Sequence, residues 1–282
     1  MLSLGVKFEL LTIAIYGRNL DKDDERVWFL LRRLAAGGAR TYVFQGNLEA
    51  GTDAVLALGG DGTFLRAINL LRGSSVPIAG INFGRLGFLT SAKVEEGENA
   101  WIEDLLQGRY CVQKRILLKV ESDAVPHGIY PYALNEFSIQ RQNPAMLRIE
   151  IGIGEGRLPS YWADGVVVST PTGSTAYSLS VGGPIVTPDS DVFIIAPIAP
   201  HNLNVRPIVT PAESDLTISF GAKSSQKGVV TLDNTSFEVP VGSTFKVTKA
   251  DYCANCITFN NAGFIDAIKD KLLWGEDKRN TF

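Results

Sequence analysis

Histidine and cysteine are scarce in this chain, and the shortage narrows the chemistry available to it. Of 282 residues, two are histidine, His127 and His201, and three are cysteine, Cys111, Cys253 and Cys256. The histidines lie in unrelated contexts and no G-x-S-x-G elbow occurs, so a hydrolytic triad has no foundation. Cys253-x-x-Cys256 is half a zinc ribbon or a redox pair; with no second CxxC and no His-x-x-x-His, metal or redox use is disfavoured. An odd cysteine count in a chain this long suits a reducing compartment better than a disulfide framework. A basic excess is also missing: 27 Lys and Arg face 30 Asp and Glu, for a net charge of −3. That balance argues against nucleic acid or an anionic membrane as partner. Apolar runs stop short of the ~20 residues a membrane span needs. Met1 to Leu11 lacks the pattern of a secretory signal, so the expected location is cytoplasmic. A Walker A lysine motif, low-complexity tracts and internal repeats are absent as well.

What remains is an ordinary globular balance, 45% hydrophobic and 20% charged, able to supply a core. Leu10 to Tyr16 reads as a first strand, ending at Gly17-Arg18-Asn19. Val27, Leu30, Leu31 and Leu34 then keep the spacing of a core-facing helical stripe. Asp21, Asp23, Asp24 and Glu25 stand at its start and Arg32 and Arg33 near its end, the order the helix dipole favours. Thr41 to Phe44, Ala54 to Leu58 and Pro77 to Asn82 read as further strands, and a helix is expected from about Glu96 to Leu106. Strands alternating with helices imply an α/β domain with a parallel sheet over residues 1–112.

From Cys111 onward the texture changes. Strand-like runs follow one another: Ile116 to Val120, Tyr132 to Gln140, Leu147 to Ile153, Tyr161 to Ser169, Val192 to Ala196, Leu216 to Phe220, Val229 to Leu232, Thr244 to Thr248 and Ile257 to Phe259. Such a series implies an all-β, sandwich-like domain over residues 113–261. Gly152, Gly154 and Gly156 have no helix after them and read as a hairpin turn. The tail, residues 262–282, regains helical period through Phe264, Ile265, Ile268 and Leu272 and is expected to pack on the first domain.

The chain is organised around Gly59-Gly60-Asp61-Gly62-Thr63, between the buried-looking strand Ala54 to Leu58 and a helix carrying Leu65, Ile68 and Leu71 on one face. Open α/β sheets place ligands at such junctions. Glycine lets the backbone approach a phosphate, and a helix N-terminus turns partial positive charge toward it. A carboxylate beside a bare phosphate is costly, so Asp61 serves either to accept a proton from a hydroxyl or to hold a divalent cation. The plain alternative is a turn with a capping Asp. Asn82-Phe83-Gly84-Arg85-Leu86-Gly87-Phe88-Leu89-Thr90 is either a second ligand loop or a tight connection with Phe83 and Phe88 in the core.

Two further stretches carry chemistry. Asn135-Glu136 lies in an apolar run, where a buried amide and carboxylate need partners such as a ribose diol. Alternatively, strand alternation puts one of them in solvent. Asp164 to Pro184 crowds small hydroxyl residues at a strand-to-helix junction, with Tyr177 as an aromatic face and Gly182-Gly183-Pro184 as a stop. Its hydroxyls cap the helix or serve a ligand.

GGDGT, NFGRLGFLT, the Asn-Glu pair, ADGVVVSTPTGSTAYSLSVGGPIVTP and PIAPHNLNVRPIVTP, in this order over residues 10 to 265, closely resemble the NAD kinase family. GGDGT alone is shared with diacylglycerol and sphingosine kinases; the Asn-Glu pair and GSTAYSLS are more specific. The resemblance implies the two-domain fold of NAD kinases and diacylglycerol kinases, with a Rossmann-like α/β domain before the β-rich one. It implies transfer of the terminal phosphoryl group of ATP or polyphosphate to the 2′-hydroxyl of the adenosine ribose of NAD, giving NADP. It also implies Mg²⁺ or a similar cation, with ligands the sequence does not identify, and a homodimer or homotetramer. Carried over by position, Asp61 accepts the hydroxyl proton, and Gly59, Gly60, Gly62 and Thr63 form the phosphate-donor loop. Gly62 also lies beside the nucleotide, Arg66 faces a phosphate and Phe88 lines the NAD pocket. Asn135 and Glu136 hold the ribose and adenine side; Thr175, Ala176, Tyr177, Ser178, Leu179 and Ser180 cradle adenine and ribose. Asp164 and Ala199 touch the nicotinamide nucleotide from the neighbouring subunit or domain. Trp162 stands where many members carry a phosphate-contacting basic residue, and Asp233-Asn234-Thr235 where many have a Gln or His ligand. Rival readings are a lipid kinase, which would show a membrane-facing patch and lack GSTAYSLS, and a nicotinamide nucleotide sensor, which would gain nothing from Asp61.

Overall fold

A computed structural model describes residues 10–18, 20, 24–84, 87–94, 99–221, 227–259 and 263–274. The chain divides into two compact units, Met1–Gln113 with Asn255–Phe282, and Lys114–Ala254. In the first unit β1 (Thr12–Tyr16) leads to α1 (Glu25–Ala36), whose buried residues Val27, Leu30 and Leu34 form the apolar stripe. Asp24 caps α1 by accepting from the Arg26 N–H at 2.9 Å, while Asp21 and Asp23 lie outside the described residues. After β2 (Arg40–Val43) come β3 (Ala54–Leu58), buried along its whole length, and α2 (Asp61–Leu71), then β4 (Ile78–Asn82), β5 (Ala92–Lys93) and α3 (Ala100–Leu106). Glu96, the expected start of α3, lies outside the described residues.

The strands are parallel in the order β2-β1-β3-β4. β2 flanks β1 on one side and β3 on the other, so the strand order reverses between β1 and β3. Ligands of open α/β sheets bind in the crevice beyond the carboxyl ends of such a pair. Tyr16 and Ala57 are partners at those ends, and GGDGT follows directly.

β6 (Cys111–Glu121) carries the chain into the second unit, which holds β7 (Tyr132–Ala133), β8 (Glu136–Arg141), β9 (Leu147–Ile153), β10 (Gly156–Arg157), β11 (Tyr161–Ala163) and β12 (Gly165–Ser169). A 3₁₀ turn (Thr172–Thr175) and α4 (Tyr177–Ser180) follow, then β13 (Val192–Ile198), β14 (Ile208–Pro211), β15 (Leu216–Gly221), β16 (Lys227–Leu232), β17 (Thr235–Pro240) and β18 (Thr244–Thr258). One antiparallel sheet runs β14-β13-β12-β8-β16-β17. A second layer pairs β9 with β10, β11 and β15, and β15 with the first residues of β18. Phe137, Val166, Val168, Phe193 and Val230 from the first sheet share one core with Ile149, Ile151, Leu216, Ile218 and Phe245 from the second. The last residues of β18 return to the first unit, where Cys256 pairs in parallel with Ile78, and α5 (Phe264–Leu272) follows.

Several strand expectations need correction. Tyr132 to Gln140 is two strands, because the backbone bends at Leu134 and Asn135 to reach the carboxylate of Asp233. Tyr161 to Ser169 also divides, at Asp164: β11 pairs with β9 and β12 with β8 and β13. Thr244 to Thr248 and the first two residues of Ile257 to Phe259 lie at opposite ends of one long strand, Phe259 falling just beyond it; the middle is rich in Ala, Cys and Asn and so lacks β propensity. β14 and β17 fall outside the expected strands: both are short edge strands ending in proline, β14 with only Thr210 buried and β17 with a brief Phe237–Val239 alternation toward the core. The glycine hairpin is present, with Gly154 at φ 55° and Gly156 paired to Ile153.

Candidate active site

In the first unit Asp61 is the first residue of α2, and Gly60, in extended conformation, occupies the cap position without a side-chain hydrogen bond. The capping alternative therefore fails: the Asp61 carboxylate turns away from its own helix. Its Oδ2 accepts from the Phe88 N–H at 2.9 Å and its Oδ1 from the Leu89 N–H at 3.0 Å. A Cβ at Gly87 would lie 1.6 Å from Asp61 Oδ1, so only glycine lets that strand-end loop close over the carboxylate. Thr90, buried, accepts from the Gly87 N–H and holds the loop from beneath.

Gly59 has φ 146°, and its N–H donates to Ile81 O at 2.8 Å, which anchors the turn to β4. Gly60 and Gly62 are exposed and a Cβ at either would meet nothing within 4 Å, so the face of the loop is open. Thr63 begins to close the first turn, its N–H donating to Gly60 O at 2.9 Å, and Arg66 stands half-buried one turn on. Phe88 is half-buried, its ring 6.5 Å from that of Phe264. The 82–90 stretch is thus a support for Asp61, while Phe83 packs against the core of the first unit; Arg85 and Leu86 lie outside the described residues.

In the second unit Asn135 and Glu136 are both buried, at 7% and 8% exposure, so neither is turned to solvent as strand alternation requires. The bend between β7 and β8 is the reason. Asp233 Oδ2 accepts from the Leu134 N–H at 2.9 Å, and Oδ1 accepts from Asn135 and Glu136 at 2.8 and 3.1 Å. Asp233 sits in the left-handed region at φ 50°. Burial raises its pKa to about 6, against the pull of those three N–H groups. Glu136 is pushed further, to about 8, by its own burial first and by the charge of Asp233 second, while the Tyr177 N–H works the other way. Both carboxyls are thus raised, and Glu136, without the three N–H groups that favour the ionised form of Asp233, is the one of the pair that holds a proton more readily.

The 172–180 segment lies over this pair. A Cβ at Gly173 would stand 2.1 Å from Asn135 O, and the Thr170 N–H donates to the same oxygen at 2.9 Å. Capping does not explain the hydroxyls, since neither the 3₁₀ turn nor α4 has a side-chain cap; Pro171 and Ala176 stand at those positions. Two are structural: Thr170 Oγ1 donates to Leu134 O, and Ser174 Oγ both accepts from and donates to the Val186 backbone. Others are not. Among the described residues, Asn135 Oδ1, Glu136 Oε2, Ser169 Oγ and Ser178 Oγ are buried and lack a partner. Ser169 and Glu136 are register partners across β12 and β8. An orphaned buried polar atom costs about 1–3 kcal/mol, so these four, on the β7–β8 bend, the end of β12 and α4, are left with hydrogen-bonding capacity that the fold itself does not use.

Around them, Thr175, Ala176, Tyr177 and Leu179 are half-buried and Ser180 is exposed. Tyr177 has its pKa raised by burial first, then by Asp164 and Glu136. Asp164 is clamped by Arg141, with Nε 2.6 Å from Oδ1 and Nη2 3.0 Å from Oδ2. Ala199 is exposed in the left-handed region at φ 43°, just beyond β13. Trp162 in β11 is half-buried, and its carbonyl accepts from the His201 N–H. Asp233 and Gly87 are the organising residues that side-chain chemistry alone did not single out. Among the described residues no group of three or more His, Cys, Asp and Glu is arranged to hold a metal ion.

The first unit presents a fixed carboxylate on a glycine-lined strand-to-helix turn, and the second carries buried amide, acid and hydroxyl groups with unused hydrogen-bonding capacity; each is a feature that a nucleotide phosphotransferase requires. The family model described as ATP-NAD kinase N-terminal domain matches residues 20–110, and the one for the ATP-NAD kinase C-terminal domain matches 134–259. An NAD kinase of Christiangramia forsetii is 39% identical over 239 residues, 83% of this chain and 80% of the relative. One from Bacteroides fragilis is 41% identical over 236 residues, with the same coverage. The crystal structure of an NAD kinase from Archaeoglobus fulgidus in complex with ATP matches with TM-score 0.75 and 26% identity, over 93% of this chain and 99% of that one. Yeast NADH kinase complexed with NADH shares the fold, with TM-score 0.84 over 98% and 91% of the two chains at 24% identity. The chain belongs to the NAD kinase family.

Proposed function

We infer that this chain transfers the terminal phosphoryl group of ATP to the 2′-hydroxyl of the adenosine ribose of NAD, forming NADP and ADP. The observation that carries the reading is the Asp61 carboxylate, clamped by two backbone N–H groups at the mouth of an open glycine turn. The O2′–P bond forms as the bond from Pγ to the bridging oxygen of ADP breaks. Phosphoryl transfer passes through a loose transition state, so positioning and charge neutralisation do most of the work. Asp61 accepts the hydroxyl proton as the bond forms. Gly59, Gly60, Gly62 and Thr63 receive the donor phosphates at the positive end of α2, with Arg66 as a nearby cation. Phe88 lines the nucleotide side of this loop.

In the same proposal Asn135 and Glu136 bind the ribose and adenine side through their orphaned oxygens; the protonated Glu136 acts as a donor. Thr175, Ala176, Tyr177, Ser178, Leu179 and Ser180 cradle adenine and ribose, and Asp164, Ala199 and Trp162 meet the nicotinamide nucleotide. The first unit is then the donor domain and the second the NAD-binding domain. Mg²⁺ fits these residues only as an ion borne by the donor phosphates, since the carboxylate at the turn is Asp61 alone. Bound there, it draws negative charge from the phosphate oxygens. Homodimeric or homotetrameric assembly and a cytoplasmic location complete the proposal; three free cysteines agree with the latter, and no helix among the described residues is long and apolar enough to cross a membrane.

The test is transfer by the purified protein with ATP, then with polyphosphate, read by an NADP-specific dehydrogenase. NADP formation from ATP is expected. Phosphorylation of diacylglycerol or sphingosine instead, or NAD binding with no transfer to it, would refute the proposal.

A further inference from the structure

We propose that Lys271, on the last turn of α5, is a donor-phosphate ligand: its ammonium receives the triphosphate of ATP beside the Asp61 carboxylate. The inference rests on the reading of Asp61 given above. Phe88 links the two residues. Its backbone N–H holds Asp61 Oδ2 at 2.9 Å, and its ring carries the Lys271 ammonium 4.8 Å from the centroid. The same ring meets Phe264, seven residues before Lys271 and so on the same face of α5. The helix is thus laid on the residue that fixes the carboxylate.

The charge logic points the same way. A carboxylate repels the phosphates it must work beside, and a neighbouring cation offsets that repulsion. Burial lowers the pKa of Lys271, and the charge of Asp61 is the foremost influence opposing it. The charge of Asp270 acts in the same direction after that of Asp61. An ammonium seated on an aromatic face is held in place by the ring's quadrupole, and its positive charge attracts an anion. Donor binding would then exchange part of the Asp61–Lys271 attraction for a lysine–phosphate contact, placing the transferable phosphate next to the proton acceptor.

Lys271→Met keeps a stem on the Phe88 ring and removes the charge; Lys271→Arg keeps the charge. Steady-state kinetics with ATP varied at saturating NAD, and the reverse, are compared with melting temperatures. A charge-assisted phosphate contact predicts that Lys271→Met loses about 10- to 100-fold in kcat/KM for ATP. KM for NAD should stay within about twofold and Lys271→Arg should recover most of the loss. Unchanged ATP kinetics in Lys271→Met, or equal losses toward both substrates that Arg does not rescue, would overturn the proposal. If the Met variant does not fold, Lys271→Gln takes its place. Asp61→Asn is measured in parallel. If Asp61→Asn is inactive while Lys271→Met is normal, only the lysine assignment falls; a fully active Asp61→Asn removes the reading beneath it.

Discussion

Asp61 depends on a residue with no side chain. A methyl group at position 87 would occupy the space of its carboxylate, so Gly87→Ala must push Asp61 aside or open the 87–89 loop. A misplacement of about 1 Å costs on the order of 10²-fold in rate, and that is the fall in kcat expected for Gly87→Ala. The two lost hydrogen bonds should cost stability only about 1–3 kcal/mol. Parallel NADP-formation and urea-unfolding measurements check this; normal kcat would show that the carboxylate need not be clamped. Glu136 makes a different prediction. Its folded-state pKa of about 8 lies above the ordinary 4.5, so the native protein holds the extra proton between those values. Stability is then greatest at the acid end of that window and declines as pH climbs toward about 8, since the unfolded chain releases the proton first. Glu136→Gln mimics the protonated form and should flatten that decline. Asp233 is also raised, to about 6, so urea midpoints of the unaltered protein and Glu136→Gln are compared between about pH 6.5 and 8.5, and the difference between the two curves reads the Glu136 contribution.

At the scale of elements, the bend between β7 and β8 is the feature the site depends on. Continuous strand geometry would turn one of Asn135 and Glu136 to the far face. The Asp233 carboxylate prevents this by gathering three successive N–H groups. Asp233→Ala leaves them unpartnered and is expected to cost roughly 2–4 kcal/mol, with a clear rise in KM for NAD. Unchanged KM for NAD would detach the bend from substrate binding. This is also where legibility in the sequence ended. Asn135-Glu136 drew notice because a polar pair in an apolar run needs partners. Their joint burial was not foreseeable, because it comes from a turn about 100 residues away in the chain. The hydroxyls of residues 169–178 were likewise visible as an excess, but not the division between structural Thr170 and Ser174 and orphaned Ser169 and Ser178.

For the molecule as a whole, the first unit was the more legible. Its strands and helices announce themselves through buried runs and helical stripes, and β3 matches its apolar run end to end. The β-rich unit was readable as a class but not strand by strand. Edge strands such as β14 and β17 are short and bury few side chains, and β18 crosses a polar middle that periodicity splits. Local patterning reports what each segment buries; it does not report which carboxylate reaches which backbone. The function became legible where motif order joined local chemistry: a glycine turn with one acid, a polar pair and a hydroxyl-rich turn. The most direct measurement is turnover and NAD affinity of Asp61→Asn in the ATP-dependent formation of NADP. Removal of a general base costs about 10²–10⁴ in rate, so kcat should fall by at least two decades while the NAD dissociation constant changes little. Turnover near that of the unaltered protein would contradict the account.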